Sequence, residues 1–300
     1  MKDILQTLVG APNVFIDEPM KNHTSFKIGG SADFLVMPQT KKSLCDTINA
    51  LREDGIPVTI IGNGSNLLVS DKGIRGVVIK VAQGMGSIEV EGNKITAQGG
   101  VLLSRLASVA GSSGLAGLAW SAGIPGTVGG AIVMNAGAYN HEIKEVVAET
   151  TYIDESGNLS VLKSNLEHKF GYRTSVFQNK NWVIVESVFK LSQGNIEEIR
   201  GEMDSIMRKR KRKQPLEFPS AGSAFKRPKD GFASKLVDDA GLKGLTVGGA
   251  QVSEKHSGFI INTGNATATD VHELIKQVQH EVFEKFRIML EPEIKMLGEF

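Results

Sequence analysis

The stretch SAGIPGTVGGAIVMNAGAY, Ser121–Tyr139, decides how this chain is read. Glycine at that density costs folding entropy, and neither a helix nor a strand interior favours it. A chain keeps such a stretch where backbone passes close to something else, usually a phosphate-bearing ligand whose oxygens take bare N–H groups. A shorter stretch of the same kind, GNGSN at Gly62–Asn66, lies upstream. Two such loops point to one large cofactor with phosphates, held from two sides.

The surroundings of the loops read as mixed α+β. HTSFKIGGSADFLVMP, from His23, alternates like a strand with Gly29–Gly30 as its turn. Leu44, Ile48 and Leu51 have helical spacing, and Gly55 follows as a C-cap. Pro57–Ile61 reads as a short buried strand that runs into GNGSN, with LLVSD as the next strand, so this loop sits between strands. GVVIKV is a further strand, and SIEVEGNKITAQGG is a hairpin turning at Gly92–Asn93. Val101–Ser112 is a helix with Leu102, Leu103, Leu106, Val109 and Ala110 on one face. Strands return at VVAETTYIDESGNLSVL, turning around Ser156–Asn158, and at NWVIVESVFKL. Gln193–Asn195 marks a boundary before a helix carrying Ile196, Ile199, Met203, Ile206 and Met207, then RKRKRK at Arg208–Lys213. KLVDDAGLKGL is a short helix. Val271, Leu274, Ile275, Val278, Val282 and Phe286 form the stripe of a last helix capped by Asp270 and Glu273.

Several classes are excluded. GNGSNL breaks the GxGxxG pattern at its sixth position and no helix follows, which argues against a Rossmann dinucleotide site. There is no GxxxxGK followed by Ser or Thr. The six histidines show no metal-ligand pair and the single Cys45 builds no thiolate site or disulfide, so no metal is expected. Cys45 reads as a small apolar filler in a reducing compartment. With 300 residues, 41% hydrophobic and 22% charged, the chain is an ordinary soluble globular protein. A net charge of +1 gives no global pull toward nucleic acid or membrane, and no apolar run or leader is long enough to span or target. RKRKRK lacks interleaved aromatics and reads as a solvated helix end. The expectation is a cytoplasmic monomer that binds neither nucleic acid nor membrane.

Five segments then occur in a family's order: PVTIIGNGSNLLVSD, SAGIPGTVGGAIVMNAGAY, FGYRTSVF, PSAGSAFKRP and LEPEIKMLGE. The chain resembles, over nearly its whole length, the UDP-N-acetylenolpyruvoylglucosamine reductases, bacterial flavoenzymes often called MurB. The resemblance implies a two-lobed, non-Rossmann FAD-binding domain of the PCMH type, with a C-terminal α+β substrate-binding domain. Lobes are expected at 1–80 and 81–193, and the substrate domain at 194–300. FAD is implied to lie along Gly62, Asn63, Gly64, Ser65, Asn66 and Leu67, and along Gly123, Ile124, Pro125, Gly126, Thr127, Gly129 and Gly130. Asn135, Ala136 and Gly137 are implied to stand close by. The implied reaction uses NADPH to reduce FAD. The flavin then reduces the enol ether of UDP-N-acetylglucosamine enolpyruvate to UDP-N-acetylmuramate, a peptidoglycan precursor.

An enol ether accepts hydride poorly unless its carboxylate is polarised, so a cation must sit there and a proton must reach the adjacent carbon. By residue type alone, Arg173 reads first as a surface ion pair, Ser223 as a turn serine and Glu293 as a solvated acid. The resemblance assigns Arg173 to polarising the carboxylate, Ser223 to proton donation in preference to Ser220, and Glu293, in preference to Glu291, to assisting polarisation. Glu291 and Glu293 would share a face in a strand. The resemblance also puts Tyr139, Tyr172, Lys213, Arg227 and His256 at substrate-contacting positions, Lys213 on the pyrophosphate. His256 replaces a glutamine and Arg227 an asparagine of other members. Some members carry a tyrosine-bearing loop between the arginine and serine motifs. This chain has the shorter form without it. The competing readings are an FAD-dependent sugar or alcohol oxidase on the same fold and, more remotely, a non-enzymatic nucleotide or nucleic-acid binder.

Overall fold

A computed structural model describes residues 1–229 and 231–300. The chain divides into two compact units: residues 1–16, 34–63 and 76–209 form the first, and 17–33, 64–75 and 210–300 the second. No helix among the described residues is long and apolar enough to cross a membrane.

The first unit has two apolar cores. One is packed by helix Leu103–Ser112, helix Val128–Val133 and a five-stranded antiparallel sheet. The sheet order is Leu159–Leu162, Val147–Ile153, Val183–Lys190, Lys94–Gln98, Ile88–Glu91. Its hairpins turn where glycine is required: Gly92 has φ 58° and Gly157 φ 83°. Around the second turn Asp154 Oδ1 accepts the N–H groups of Ser156 and Asn158 at 2.9 and 3.0 Å. The other core gathers Leu5, Leu44, Ile48, Leu51, Val77, Ile79 and Val185. Here Thr40 and Ser43 cap helix Lys41–Glu53 reciprocally, which satisfies two N–H groups of its first turn.

Three expectations shift in this unit. Val58–Ile61 is the edge strand of its sheet, paired in parallel with Ile74–Lys80, so Ile60 is exposed and only Ile61 is buried. Helix Leu103–Ser112 starts after Leu102, whose backbone bridges Thr127 instead, and Ala107 takes the place of Leu102 on the buried face. Helix Ile196–Lys213 runs through the basic segment and buries Ile199 and Ile206, with Met203 packed against the core, while Ile196 and Met207 stay exposed.

The second unit is built on the long helix Ala268–Phe286, whose Val271, Leu274, Ile275, Val278 and Val282 are buried. They face a sheet ordered Ser220–Ser223, Phe259–Asn262, Ala250–Val252, Thr246–Val247. The N-cap of this helix is Thr267, with Asp270 at the third position closing the capping box; Asp270 and Glu273 are not themselves the cap. Asp71 adds a second anchor, accepting the N–H groups of Ala268 and Thr269 at 2.8 and 2.9 Å. The expected strand from His23 shortens to Ser31–Val36. Gly30 is a point of close approach: a Cβ there would lie 2.2 Å from Asp71 O, and Gly30 N–H donates to Ser70 O at 2.9 Å.

The Asp270 carboxyl is held below the usual range chiefly by the Thr267 N–H, and by Gly249 N–H. Replacing Thr267→Ala removes the side-chain half of this cap and should cost about 1 kcal/mol, read as a lower urea midpoint at unchanged slope.

Candidate flavin and substrate site

In the first unit the two glycine-rich loops touch. A Cβ on Gly62 would lie 2.3 Å from Thr127 Oγ1, and Asn63 Nδ2 donates to Pro125 O at 2.7 Å. Thr127 is the N-cap of helix Val128–Val133, its hydroxyl accepting Gly130 N–H at 3.3 Å. Val128 and Gly129 donate to Val101 O and Gly99 O, at 2.8 and 2.9 Å. Gly62 is therefore required by the approach of the loops to each other. Gly130 differs: it is exposed, and its Cβ would meet only Thr127 Oγ1, at 3.5 Å. That open, side-chain-free face fits a cofactor approached by main chain.

Downstream, the segment Val133–Gly137 is laced to the FGYR turn. Asn135 is fully buried, and its Nδ2 donates to Gly171 O at 2.8 Å and to Glu142 Oε2 at 3.1 Å. Its Oδ1 accepts Lys144 N–H at 3.2 Å. The Asn135 side chain is thus spent inside the protein, leaving its main chain for any cofactor contact. Arg173 sits at φ 54°, with Nη2 donating to Gly137 O at 3.0 Å. Ser175 Oγ donates to Val133 O at 2.8 Å. Gln178, just beyond the sequence motif, donates from Nε2 to Arg173 O at 2.7 Å, a contact that residue order alone does not signal. Tyr139 and Tyr172 are exposed, and the Arg173 guanidinium lies 5.0 Å from the Tyr172 ring centre.

The same turn is anchored by His168, buried and stacked on Phe170 with ring centres 4.9 Å apart. Ser164 O, 2.6 Å from Nδ1, is only an acceptor, so Nδ1 carries the proton and Nε2 accepts from Thr150 Oγ1 at 2.8 Å. Ser187 Oγ donates in turn to Thr150 Oγ1 at 3.1 Å. Burial holds the imidazole below its usual range, against smaller opposing effects of the Ser164 carbonyl and Glu167.

The second unit brings Ser223 and Glu293 together. Ser223 ends a strand that is bulged at Gly222, with φ 79°, and it is exposed, while Ser220 is half-buried with its carbonyl accepting Ser25 Oγ at 2.7 Å. Phe225 bridges Pro292, and Glu293 N–H donates to Ala224 O at 2.9 Å. Glu291, exposed, pairs with Lys226 instead; Glu293 is half-buried. Asn66 Nδ2 donates to Glu293 O at 3.1 Å and Lys295 N–H donates to Asn66 O at 2.9 Å. Past it, Lys295–Leu297 pairs in parallel with Leu67–Val69. A Cβ on Gly64 would lie 2.1 Å from His23 O, so this glycine too answers to packing.

Lys213 and Lys243 both act electrostatically on His256, whose pKa is lowered mainly by burial. His256 Nδ1 accepts Gly258 N–H at 3.1 Å, which leaves the proton on Nε2. Arg227 stacks over exposed Phe232 at 4.6 Å. Cys45 is half-buried on its helix, and burial pushes its thiol up, as suits a filler. Among the described residues no cluster of His, Cys, Asp and Glu could hold a metal ion.

The FAD binding domain family matches residues 32–163, and the C-terminal domain of UDP-N-acetylenolpyruvoylglucosamine reductase matches 214–297. Over 297 residues the chain is 52% identical to the UDP-N-acetylenolpyruvoylglucosamine reductase of Caldanaerobacter subterraneus subsp. tengcongensis, covering 99% of this chain and 98% of that one. The enzyme of that name from Clostridioides difficile is 46% identical, over 98% of this chain and 97% of its own. The crystal structure of the Thermus caldophilus enzyme superimposes with a TM-score of 0.82 at 36% identity, covering 94% of this chain and 98% of that one. A Phl p 4 variant described as a glucose oxidase, at 14% identity and a TM-score of 0.50 over 64% of this chain and 44% of its own, shares the fold alone. Fold and site define an FAD-dependent oxidoreductase of the α+β class. The chain belongs to the UDP-N-acetylenolpyruvoylglucosamine reductase family.

Gly62→Ala should force the loops apart at Thr127, costing ~1–3 kcal/mol in urea unfolding. The depressed His168 pKa makes a second prediction. Below its ordinary value of 6.5 the unfolded chain takes up a proton before the folded one does, so this stability is complete above that pH and is lost as the pH falls. His168→Gln should flatten the decline of the urea midpoint between about pH 7 and 5; parallel declines in both proteins would count against it.

Proposed function

We propose that this enzyme reduces UDP-N-acetylglucosamine enolpyruvate to UDP-N-acetylmuramate with NADPH, in the cytoplasm, as a step of peptidoglycan precursor synthesis. The observation that carries the proposal is the backbone pairing of Ala224–Lys226 with Glu291–Glu293, which supports the reading by bringing half-buried Glu293 beside Ala224, the residue that follows Ser223. FAD, when bound, supplies a hydride from N5 to the enolpyruvyl methylene carbon.

The chain's own groups do the rest. Arg173 offers a planar fork to the substrate carboxylate and stabilises the negative charge that develops there. Glu293 assists that polarisation. Ser223, exposed at its strand end, donates its hydroxyl proton to the carbon beside the carboxylate. A serine is a weak acid, yet it suffices against a carbanion-like enolate. Lys213 contacts the pyrophosphate, with His256, Arg227, Tyr139 and Tyr172 as further substrate contacts. The flavin is held by the main chain of Gly62–Leu67, Gly123–Gly130 and Asn135–Gly137, between lobes 1–80 and 81–193, and 194–300 receives the UDP-sugar.

An anaerobic titration tests this directly. Flavin bands of the purified protein should bleach with NADPH and return on adding the enol ether. A colour that returns only with air would favour an oxidase. Ser223→Ala should keep the bleaching step and lose the return by about 100-fold or more, the usual scale of a positioned proton donor.

A further inference from the structure

We propose that Gln178 and Asn135 are positioning residues for Arg173: they hold its turn in the left-handed conformation and so set how firmly the guanidinium grips the substrate carboxylate. The inference rests on the reading of Arg173 as the carboxylate contact. Neither residue is itself placed against the reacting atoms.

Left-handed backbone is unfavourable for a residue with a Cβ and persists only where the surroundings over-determine it. Arg173, at φ 54°, is one such residue, and Asn135 and Tyr139 are two more on the facing segment, at 41° and 55°. The Arg173 turn is closed by Gly171 N–H to Thr174 O at 3.0 Å and Thr174 N–H to Gly171 O at 3.2 Å. Gln178 then takes hold of Arg173 itself, with Nε2 2.7 Å from Arg173 O and 3.2 Å from Val133 O. One amide thus ties the arginine backbone to the head of the facing segment.

Asn135 works from the other side. Its Nδ2 holds Gly171 O, two residues before the arginine, and its remaining bonds to Glu142 and Lys144 fix the amide so that it cannot turn away. With both ends of the turn pinned, the guanidinium reaches Gly137 O at 3.0 Å. A fork held in place before the ligand arrives loses little freedom on binding. Without Gln178, the backbone is released to negative φ and the fork swings off its aim.

Calorimetry on the FAD-loaded protein tests this with two ligands that differ in the carboxylate: UDP-N-acetylmuramate, which carries it, and UDP-N-acetylglucosamine, which does not. Gln178→Met should weaken the first about tenfold and the second by less than about twofold, and adding it to Arg173→Ala should cost nothing further. Asn135→Ala, which removes the donor to Gly171 without adding a charge beside Glu142, should show the same selectivity. A general structural defect would weaken both ligands alike; that result, or an unchanged affinity for UDP-N-acetylmuramate, overturns the proposal. Should Arg173→Ala itself fail to separate the two ligands, the reading of Arg173 falls and this inference with it. Should Arg173→Ala separate them while Gln178→Met does not, only the positioning role falls.

Discussion

A residue with a Cβ sits uneasily in the left-handed region, and the first unit holds Asn135, Tyr139 and Arg173 there. What makes this tolerable is the lacing of Val133–Gly137 to Gly171–Gln178 by Asn135, Arg173, Ser175 and Gln178. Each of these side chains ends on a backbone carbonyl of the facing segment. Buried carbonyls need partners, so removing one donor leaves an acceptor unsatisfied as well as a turn unheld. Arg173 and the end of the second glycine-rich stretch are therefore one mechanical piece.

Beneath that piece lies a chain of neutral hydrogen bonds from Ser187 through Thr150 and His168 to Ser164. Every donor has one acceptor, and the order can be followed in only one direction because Ser164 O cannot donate. A charged imidazole would turn Thr150 against its partner. The cost of burying these polar groups is offset only while the chain stays complete, which links the footing of the FGYR turn to the protonation state of one histidine.

In the second unit the corresponding constraint is the return of the C-terminus. Residues Lys295–Leu297 lie in parallel beside Leu67–Val69, and Asn66 bonds Glu293 and Lys295 on either side of Ile294. Parallel pairing between such distant segments needs the whole of the intervening chain as its crossover. The long helix Ala268–Phe286, anchored by Asp71 from this same early segment, supplies much of it. Thus Glu293 is delivered to Ala224 by backbone pairing, and Glu291 is drawn off by Lys226.

Helix periodicity made the stripe Val271–Phe286 legible, and the two hairpin turns could be read from Gly92–Asn93 and Ser156–Asn158, because these depend on residues close in the chain. The motif order alone led to Arg173, Ser223 and Glu293 as a set. Local pattern failed where a partner distant in sequence took over: Gly30 serves Asp71 rather than a hairpin, Leu102 pairs with Thr127 rather than joining its helix, and Ile60 is left on a sheet edge. Glycine density marked both loops, and the reason for it differs by position. Gly62 and Gly64 make room for other protein atoms, whereas a Cβ on exposed Gly130 would meet only Thr127 Oγ1, in ordinary contact. By itself, then, the sequence determined most of the element types and the two glycine-dense loops, since these are properties of short patterns, while the cofactor class and the candidate reactive side chains followed from the order of the family's motifs. Which asparagine is spent inside, which glutamate pairs with Lys226 and which glutamine holds the arginine were decided only by tertiary contacts, where hydrogen-bond partners are set by distance in space.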